Sequence, residues 1–237
     1  MKKLFINDTL DLSNSAFIDG DDYMHLTRSL RIRVGENFVI EDSLGKEYNC
    51  EVVSINSKLV EMKAISSFER KHSKNFEITL YFPILKGDRT ELVLQKATEI
   101  GVDNFVPIIT KNTVIQLDKQ NNKLKRWQTV LKEAAMQSGR KGIPTIKPAA
   151  TINEIPTILS NECGFIGCFD GIRWNDYEKN FADIKNTAII IGPEGDFTPE
   201  EVSCLKDKGF TAINISDNIL RSETACIFFV SVLSMFQ

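Results

Sequence analysis

At residues 69–75 the periodicity of this chain changes, and that change limits the folds open to it. Before it, short runs carry strand-like residues: Phe17-Ile18-Asp19, Asn37-Phe38-Val39-Ile40-Glu41, Tyr48-Asn49-Cys50-Glu51-Val52-Val53 and Leu59-Val60-Glu61-Met62. Runs of this length and content read as strands. Asp42 to Lys46 and Ile55 to Lys58 are turn signals between them, and Tyr23 to Leu30 reads as a short helix. Several short strands at this spacing predict a small β-barrel over residues 1–69. The polar run Glu69-Arg70-Lys71-His72-Ser73-Lys74-Asn75 is the expected linker.

After residue 75, strands alternate with helices. Phe76–Phe82, Phe105–Ile109, Thr145–Lys147, Gly164–Phe169 and Thr187–Ile191 are strand candidates, and Pro107 marks an edge or an irregularity in the second. Asp88 with Glu91 forms a capping-box pattern ahead of a helix that runs to Ile100 and stops at Gly101. Leu124, Trp127, Leu131, Ala134 and Ser138 recur at helical spacing, with Lys125, Arg126 and Lys132 on the opposite face. Thr198 to Lys208 reads as a further helix, with acids in its first turn and Gly209 as its stop. Alternation of this kind predicts a second, α/β domain over 76–237, with a mainly parallel sheet covered on both faces.

Bulk properties narrow the class. Hydrophobic residues make up 42% and charged residues 26% of the 237, as in globular proteins. No apolar stretch approaches the roughly 20 residues that cross a bilayer, and Asn7 and Asp8 interrupt the N-terminus too early for a signal peptide. Five cysteines without a Cys-x-x-Cys pair predict reduced thiols in a cytoplasmic protein, and two histidines argue against a histidine-rich metal site. The net charge is −3, yet residues 119–147 carry eight Lys/Arg against the single acid Glu133, and Arg28, Arg31 and Arg33 form a second cluster. Clustered cations suit phosphates, and they also occur on solvated helix faces.

Two loops near the C-terminus carry the chemistry. Ile191-Gly192-Pro193-Glu194-Gly195 follows the apolar run Ala188–Ile191, and Ile219-Leu220-Arg221-Ser222-Glu223-Thr224-Ala225 lies between the strand-like Ala212–Ile215 and an apolar C-terminal helix. Both would leave the carboxyl ends of strands, where open α/β sheets bind ligands. The glycines allow close backbone approach. Neither loop matches the phosphate-binding or dinucleotide-binding glycine patterns. Glu194 could accept backbone hydrogen bonds, touch a ligand or face water. Arg221 and Glu223 stand among apolar neighbours and need partners, and an Arg221–Glu223 or Arg221–Glu194 ion pair that pins the loops is the structural alternative to a role at a ligand. Ser222 could cap the last helix, whose free N–H groups suit an anionic ligand.

With these loops, three further segments give the chain a family resemblance: His25-Leu26-Thr27-Arg28-Ser29-Leu30-Arg31-Ile32-Arg33-Val34-Gly35, Leu92–Val102, and Arg126-Trp127 through Glu133–Arg140. Together with Phe197-Thr198 and Glu201, these motifs in this order resemble the 16S ribosomal RNA uridine-N3 methyltransferases, the RsmE-type members of the SPOUT class. The resemblance spans the whole chain. It implies an N-terminal PUA-like barrel that helps hold RNA and a C-terminal SPOUT α/β domain with a deep trefoil knot. It implies S-adenosylmethionine as cofactor, bound by the knot loops of a homodimer that packs through knot helices, here the Cys226–Phe236 helix with the Lys123–Arg140 helix as a second candidate. The positions that match the cofactor loops are Phe169, Asp170 and Gly171; Gly192, Pro193, Glu194 and Gly195; and Ile215, Ser216, Asp217, Ile219, Leu220, Arg221, Thr224 and Ala225. Asp196 stands where the family commonly has a second glycine, and Ser216-Asp217 where it commonly has Leu-Gly.

The implied reaction methylates N3 of a uridine in 16S ribosomal RNA, alone or in the small ribosomal subunit. Arg221 would stabilise charge, while Glu223 or Glu194 would order Arg221 or take the proton. Arg28, Arg31, Arg33, Lys86, Arg126 and Arg140 would meet the RNA backbone. No DNA or membrane partner is expected. A SPOUT ribose 2′-O-methyltransferase and a non-catalytic RNA-binding assembly factor are the alternatives.

Overall fold

The computed structural model describes residues 2–70, 74–113, 120–178 and 180–237. The chain divides into two compact units, Met1–His72 with Ala135–Gly142, and Ser73–Ala134 with Ile143–Gln237. A cut at the 69–75 linker alone does not show that 135–142 belong with the first unit.

In the first unit, strands β1 (Lys3–Phe5), β2 (Ser15–Ile18), β3 (Asn37–Glu41), β4 (Glu47–Ile55) and β5 (Val60–Phe68) form one sheet of order β1-β3-β4-β5-β2. Its two ends do not pair among the described residues, so it is a half-barrel rather than a closed barrel. Strand β4 shows why the sequence folds this way: Tyr48, Cys50 and Val52 point into the core, and Asn49, Glu51 and Val53 point out. Asp42 closes the β3–β4 turn by accepting from the N–H groups of Leu44 and Lys46, both at 2.9 Å. The helix read at Tyr23–Leu30 starts earlier, as α1 (Gly20–Met24), and continues as a π-helical turn, His25–Ser29. Arg31, just beyond it, has a left-handed φ of 48°.

A buried charge cluster explains the place of 135–142. Lys3 Nζ lies 2.7 Å from Glu41 and 2.6 Å from Glu47, and donates to the Arg140 carbonyl at 2.7 Å. Gly142 N donates to Glu41 at 3.0 Å, and Arg70 donates to the Gly139 carbonyl at 2.7 Å. Met136 packs into the core of the same unit.

The second unit holds β6 (Glu77–Pro83), β7 (Asn104–Ile109), β8 (Thr145–Ile146), β9 (Ala150–Thr151), β10 (Glu162–Arg173), β11 (Asn186–Ile190) and β12 (Thr211–Asn214). The order is β12-β10-β11-β6-β7-β8, with β9 also on β7, and every pairing is parallel. Among the described residues, helices α2 (Arg89–Ile100), α3 (Gln120–Ser138), α4 (Pro199–Asp207) and α5 (Ser222–Ser234) cover it. Alternate residues feed two cores. Ile78, Leu80, Phe82, Phe105, Phe165 and Ile189 pack with α2, α3 and α5. Tyr81, Val106, Ile108, Ile166 and Ile190 pack with Leu205 of α4. A strand buried on both faces needs a continuous apolar run, as in Ile189-Ile190.

Pro107 sits where its lost N–H is harmless. Phe105 O accepts from Lys147 on the β8/β9 side, so residue 107 faces that side too. There β8 pairs only with 104–105 and β9 only with 108–109. The box expected at Asp88 does not form. Asp88 has φ −86° and ψ 4°, outside the extended region a cap needs, and its side chain makes no cap bond. Glu91 instead binds Arg126, at 2.8 Å. Thr198 and Glu201 do make a capping box at α4.

Candidate active site

At the carboxyl ends of β10, β11 and β12 the second unit opens a cavity of about 350 Å³, within the usual range for small-ligand sites. Its walls come from three segments: Gly167–Phe169, Ile191–Glu194 with Asp196, and Ile213–Ser216 with Asn218–Ser222 and Ala225. Of the expected cofactor positions, Phe169, Gly192, Pro193, Glu194, Ile215, Ser216, Ile219, Leu220, Arg221 and Ala225 line it. Asp170, Gly171, Gly195, Asp217 and Thr224 do not.

Each absence has a structural reason. Residues 169–171 are not a free loop but the register shift of β10 against β12 between Gly167 and Ile172. At Gly171 a Cβ would lie 2.6 Å from the backbone of Ala212 and Ile213, so this glycine serves strand packing. Gly195 turns its Cα toward Asn112. Asp217 lies on the exposed rim and pairs with Arg173 at 3.0 Å. Thr224 is exposed on α5.

The wall is shaped by small residues and short polar ties. A Cβ on Gly167 would lie 2.5 Å from Ile191 Cδ1, and one on Gly192 would lie 3.0 Å from Asp196 Oδ1. Asn214 donates to the Phe169 carbonyl at 2.7 Å and accepts from Ser216 N at 2.9 Å, which ties two walls together. Asp196 has a left-handed φ of 56°, and its carboxylate accepts from Phe197 N at 2.8 Å.

At the start of α5, Arg221 is the N-cap residue, with φ −64° and ψ 151°. Ser222 is already helical and buried and makes no cap bond, so the capping role expected for it is not met. The first-turn N–H groups remain open to an anion at the cavity wall.

The ion pairs expected of Arg221 belong to Arg89. Its NH2 lies 2.8 Å from Glu194 Oε1, its NH1 3.7 Å from Glu223 Oε2, and its Nε donates to the Lys86 carbonyl at 3.1 Å. Glu223 is only 8% exposed, and its Oε2 has no hydrogen-bond partner among the described residues. Arg89, at the first turn of α2, thus ties together the loop after β11 and the start of α5. No local pattern links residue 89 to residues 194 and 223, so sequence reasoning missed it. Arg221 is exposed and makes no ion pair among the described residues.

The expected RNA contacts fall in both units. Arg28, Arg31 and Arg33 are exposed in the first, at and just after the π-helical turn. Arg140, partly buried, contributes its carbonyl to Lys3. In the second unit, Lys86 and Arg126 are exposed, and Arg126 is engaged by Glu91. Lys119 of the basic stretch lies outside the described residues. Among the described residues no group of His, Cys, Asp and Glu could hold a metal ion, and no helix is long and apolar enough to cross a membrane.

Comparison with known proteins gives the same outline. The family described as an RNA methyltransferase domain matches residues 72–234, and the RNA methyltransferase PUA domain matches residues 18–65. The ribosomal RNA small subunit methyltransferase E of Mesomycoplasma hyopneumoniae is 30% identical, covering 98% of both chains. A protein named ribosomal RNA small subunit methyltransferase E 2, from Borreliella burgdorferi, is 29% identical over 96% of this chain and 94% of its own. Among solved structures, a Legionella pneumophila protein described as a methyltransferase with bound SAM has a TM-score of 0.87 at 26% identity, covering 99% of this chain and 97% of that one. The Neisseria gonorrhoeae ribosomal RNA small subunit methyltransferase E superposes with a TM-score of 0.90 at 24% identity, covering 100% of this chain and 98% of that one, and so shares the fold. The chain belongs to the RNA methyltransferase family, alongside the ribosomal RNA small subunit methyltransferase E proteins.

Proposed function

We propose that this chain methylates N3 of a uridine in 16S ribosomal RNA, using S-adenosylmethionine. The observation that carries the reading is the cavity at the sheet's carboxyl edge, with a free Arg221 at its wall. The lining suits the donor's chemistry. Ile191, Ile213, Ile215 and Leu220 offer apolar surface for a purine, and Glu194 and Asp196 bring negative charge for sulfonium and ammonium groups. The open N–H groups of α5 suit a carboxylate. Gly167 and Gly192 keep the walls free of side chains.

Bound S-adenosylmethionine supplies a methyl group activated by its sulfonium. The residues of the chain do the rest. Uracil N3–H is a weak acid, and its nitrogen attacks only as the proton leaves. Arg221 reaches toward the base and stabilises the negative charge that develops on the imide. Of Glu194 and Glu223, Glu194 lines the cavity and Glu223 does not, which supports Glu194 as the group that takes the proton through water. Arg89 fixes Glu194 and compensates the buried Glu223. Replacing Arg89 by Met is expected to lower kcat by about tenfold, one misplaced charged contact, measured by single-turnover methyl transfer. Normal turnover in that variant would remove its role.

In this reading residues 1–69, joined by Ala135–Gly142, are the PUA-like RNA holder, and the rest of 76–237 is the SPOUT catalytic domain. Arg28, Arg31, Arg33, Lys86, Arg126 and Arg140 meet RNA phosphates. The trefoil knot and a homodimer through the Cys226–Phe236 helix belong to the same proposal, as do a cytoplasmic location and the ribosomal small subunit as partner. Of the two departures that favour the non-catalytic alternative, Asp217 lies outside the cavity lining, on the rim, while Asp196 lines the cavity.

The test is methyl transfer from labelled S-adenosylmethionine to small subunits that lack the modification, followed by nucleoside mass spectrometry. N3-methyluridine is the expected product. 2′-O-methyluridine would establish the ribose alternative, and absence of transfer would contradict both enzyme readings.

A further inference from the structure

The Gly192–Asp196 wall is braced from behind by a turn that lines no part of the cavity. Thr113 Oγ1 accepts from Thr110 N at 2.7 Å, and Thr113 N donates to the Thr110 carbonyl at 3.1 Å, which fixes Asn112 within a tight turn. That turn is itself anchored. Lys111 N donates to Glu201 Oε1 at 2.8 Å, and the other Glu201 oxygen accepts from Thr198 N at 2.9 Å at the head of α4. From this support, Asn112 Nδ2 donates to two successive carbonyls, Gly195 at 2.8 Å and Asp196 at 3.0 Å.

The clamped site is also the strained one. Asp196 holds φ at 56°, a region that residues with a Cβ resist and glycine does not. Gly195 fits flush beneath the clamp, since a Cβ there would stand 3.1 Å from Asn112 Cβ. The left-handed residue and the clamp therefore meet at Asp196. One carboxamide holds the carbonyls of the two peptides that flank the Asp196 Cα, and so fixes both peptide planes. Fixing them holds Asp196 in its left-handed state.

We infer that Asn112 is a positioning residue for the methyl-donor site, an external clamp that lets aspartate occupy a backbone position suited to glycine. This role rests on the reading that the cavity takes S-adenosylmethionine. Without Asn112, two loop carbonyls lose their donor and Asp196 can relax to negative φ, which moves the wall away from the ligand. With glycine at 196 there is no strain to release, so the wall should hold its shape without the clamp. Coupling between the two positions is the signature that a merely structural role for Asn112 would not give.

The experiment is calorimetric titration of the full chain with S-adenosylmethionine, in four forms: wild type, Asn112→Ala, Asp196→Gly and the double variant. Asn112→Ala is expected to weaken binding about tenfold, the scale of two lost hydrogen bonds. The double variant is expected within about threefold of Asp196→Gly alone. In steady-state assays the Asn112→Ala defect should fall on KM for the donor rather than on kcat. If wild type binds and Asn112→Ala matches it within twofold, or if glycine at 196 fails to rescue, the positioning role is wrong. If wild type gives no binding heat at millimolar donor, the cofactor reading itself falls, and the role with it.

Discussion

Replacing Arg221 by Ala is expected to lower kcat for methyl transfer by about 10²- to 10³-fold, the usual loss when one donor to a developing negative charge is removed. The fold should survive. Arg221 starts α5 through its backbone, and its exposed side chain makes no ion pair among the described residues. Exposed substitutions of this kind stay within about 0.5 kcal/mol of wild-type stability. Lys at 221 should restore only part of the rate, because an ammonium cannot present the planar fork of a guanidinium. Single-turnover transfer with saturating donor measures the effect. A rate within fivefold of wild type would take Arg221 out of the chemistry and turn attention to Arg89, the other guanidinium at this site.

The second large effect lies away from the site. Lys3 has a fully buried side chain and compensates both Glu41 and Glu47, which are 6% and 1% exposed at their side chains. Lys3→Met removes a cation that contacts both carboxylates in the interior, of which Glu47 keeps its contact with Arg70 at 3.2 Å. Breaking a buried pair in this way costs about 3–5 kcal/mol. It should lower the unfolding midpoint of the first unit by more than about 10 °C, given the 4–8 °C per kcal/mol of a domain this size. It should also release 139–142, which the cluster holds through the Arg140 carbonyl and Gly142 N. Hydrogen exchange at Gly142 reports that release. A loss below about 1 kcal/mol in denaturant titration would mean that the cluster relaxes around the gap.

Local signals were read well where local physics decides. β3 runs from Asn37 to Glu41 as its run of apolar residues predicts, and α2 ends at Gly101, whose φ of 136° only glycine adopts readily. The capping box at Thr198 formed because its N-cap backbone is extended, at φ −76° and ψ 159°. The same pattern at Asp88 failed because its backbone, at φ −86° and ψ 4°, is not extended, and Glu91 pairs with the distant Arg126. β1 was missed because three residues give no periodicity, and its parallel partner β3 lies far along the chain. The two halves of the candidate site were legible as motifs, since the loops after β11 and β12 do share one cavity. Their electrostatic partner was not. Arg89 reaches Glu194 and Glu223 only through tertiary packing, and the left-handed backbone of Asp196 was signalled only by the resemblance, which sets Asp196 at a family glycine.

The most direct test is a crystal structure grown with millimolar S-adenosylmethionine. Density for the donor is expected in the cavity between Gly192–Glu194 and Ile215–Ala225, with its carboxylate near the first turn of α5 and Arg221 turned toward the open side where a base would enter. An empty or collapsed cavity, with the donor absent or bound elsewhere, would contradict the assignment of this site.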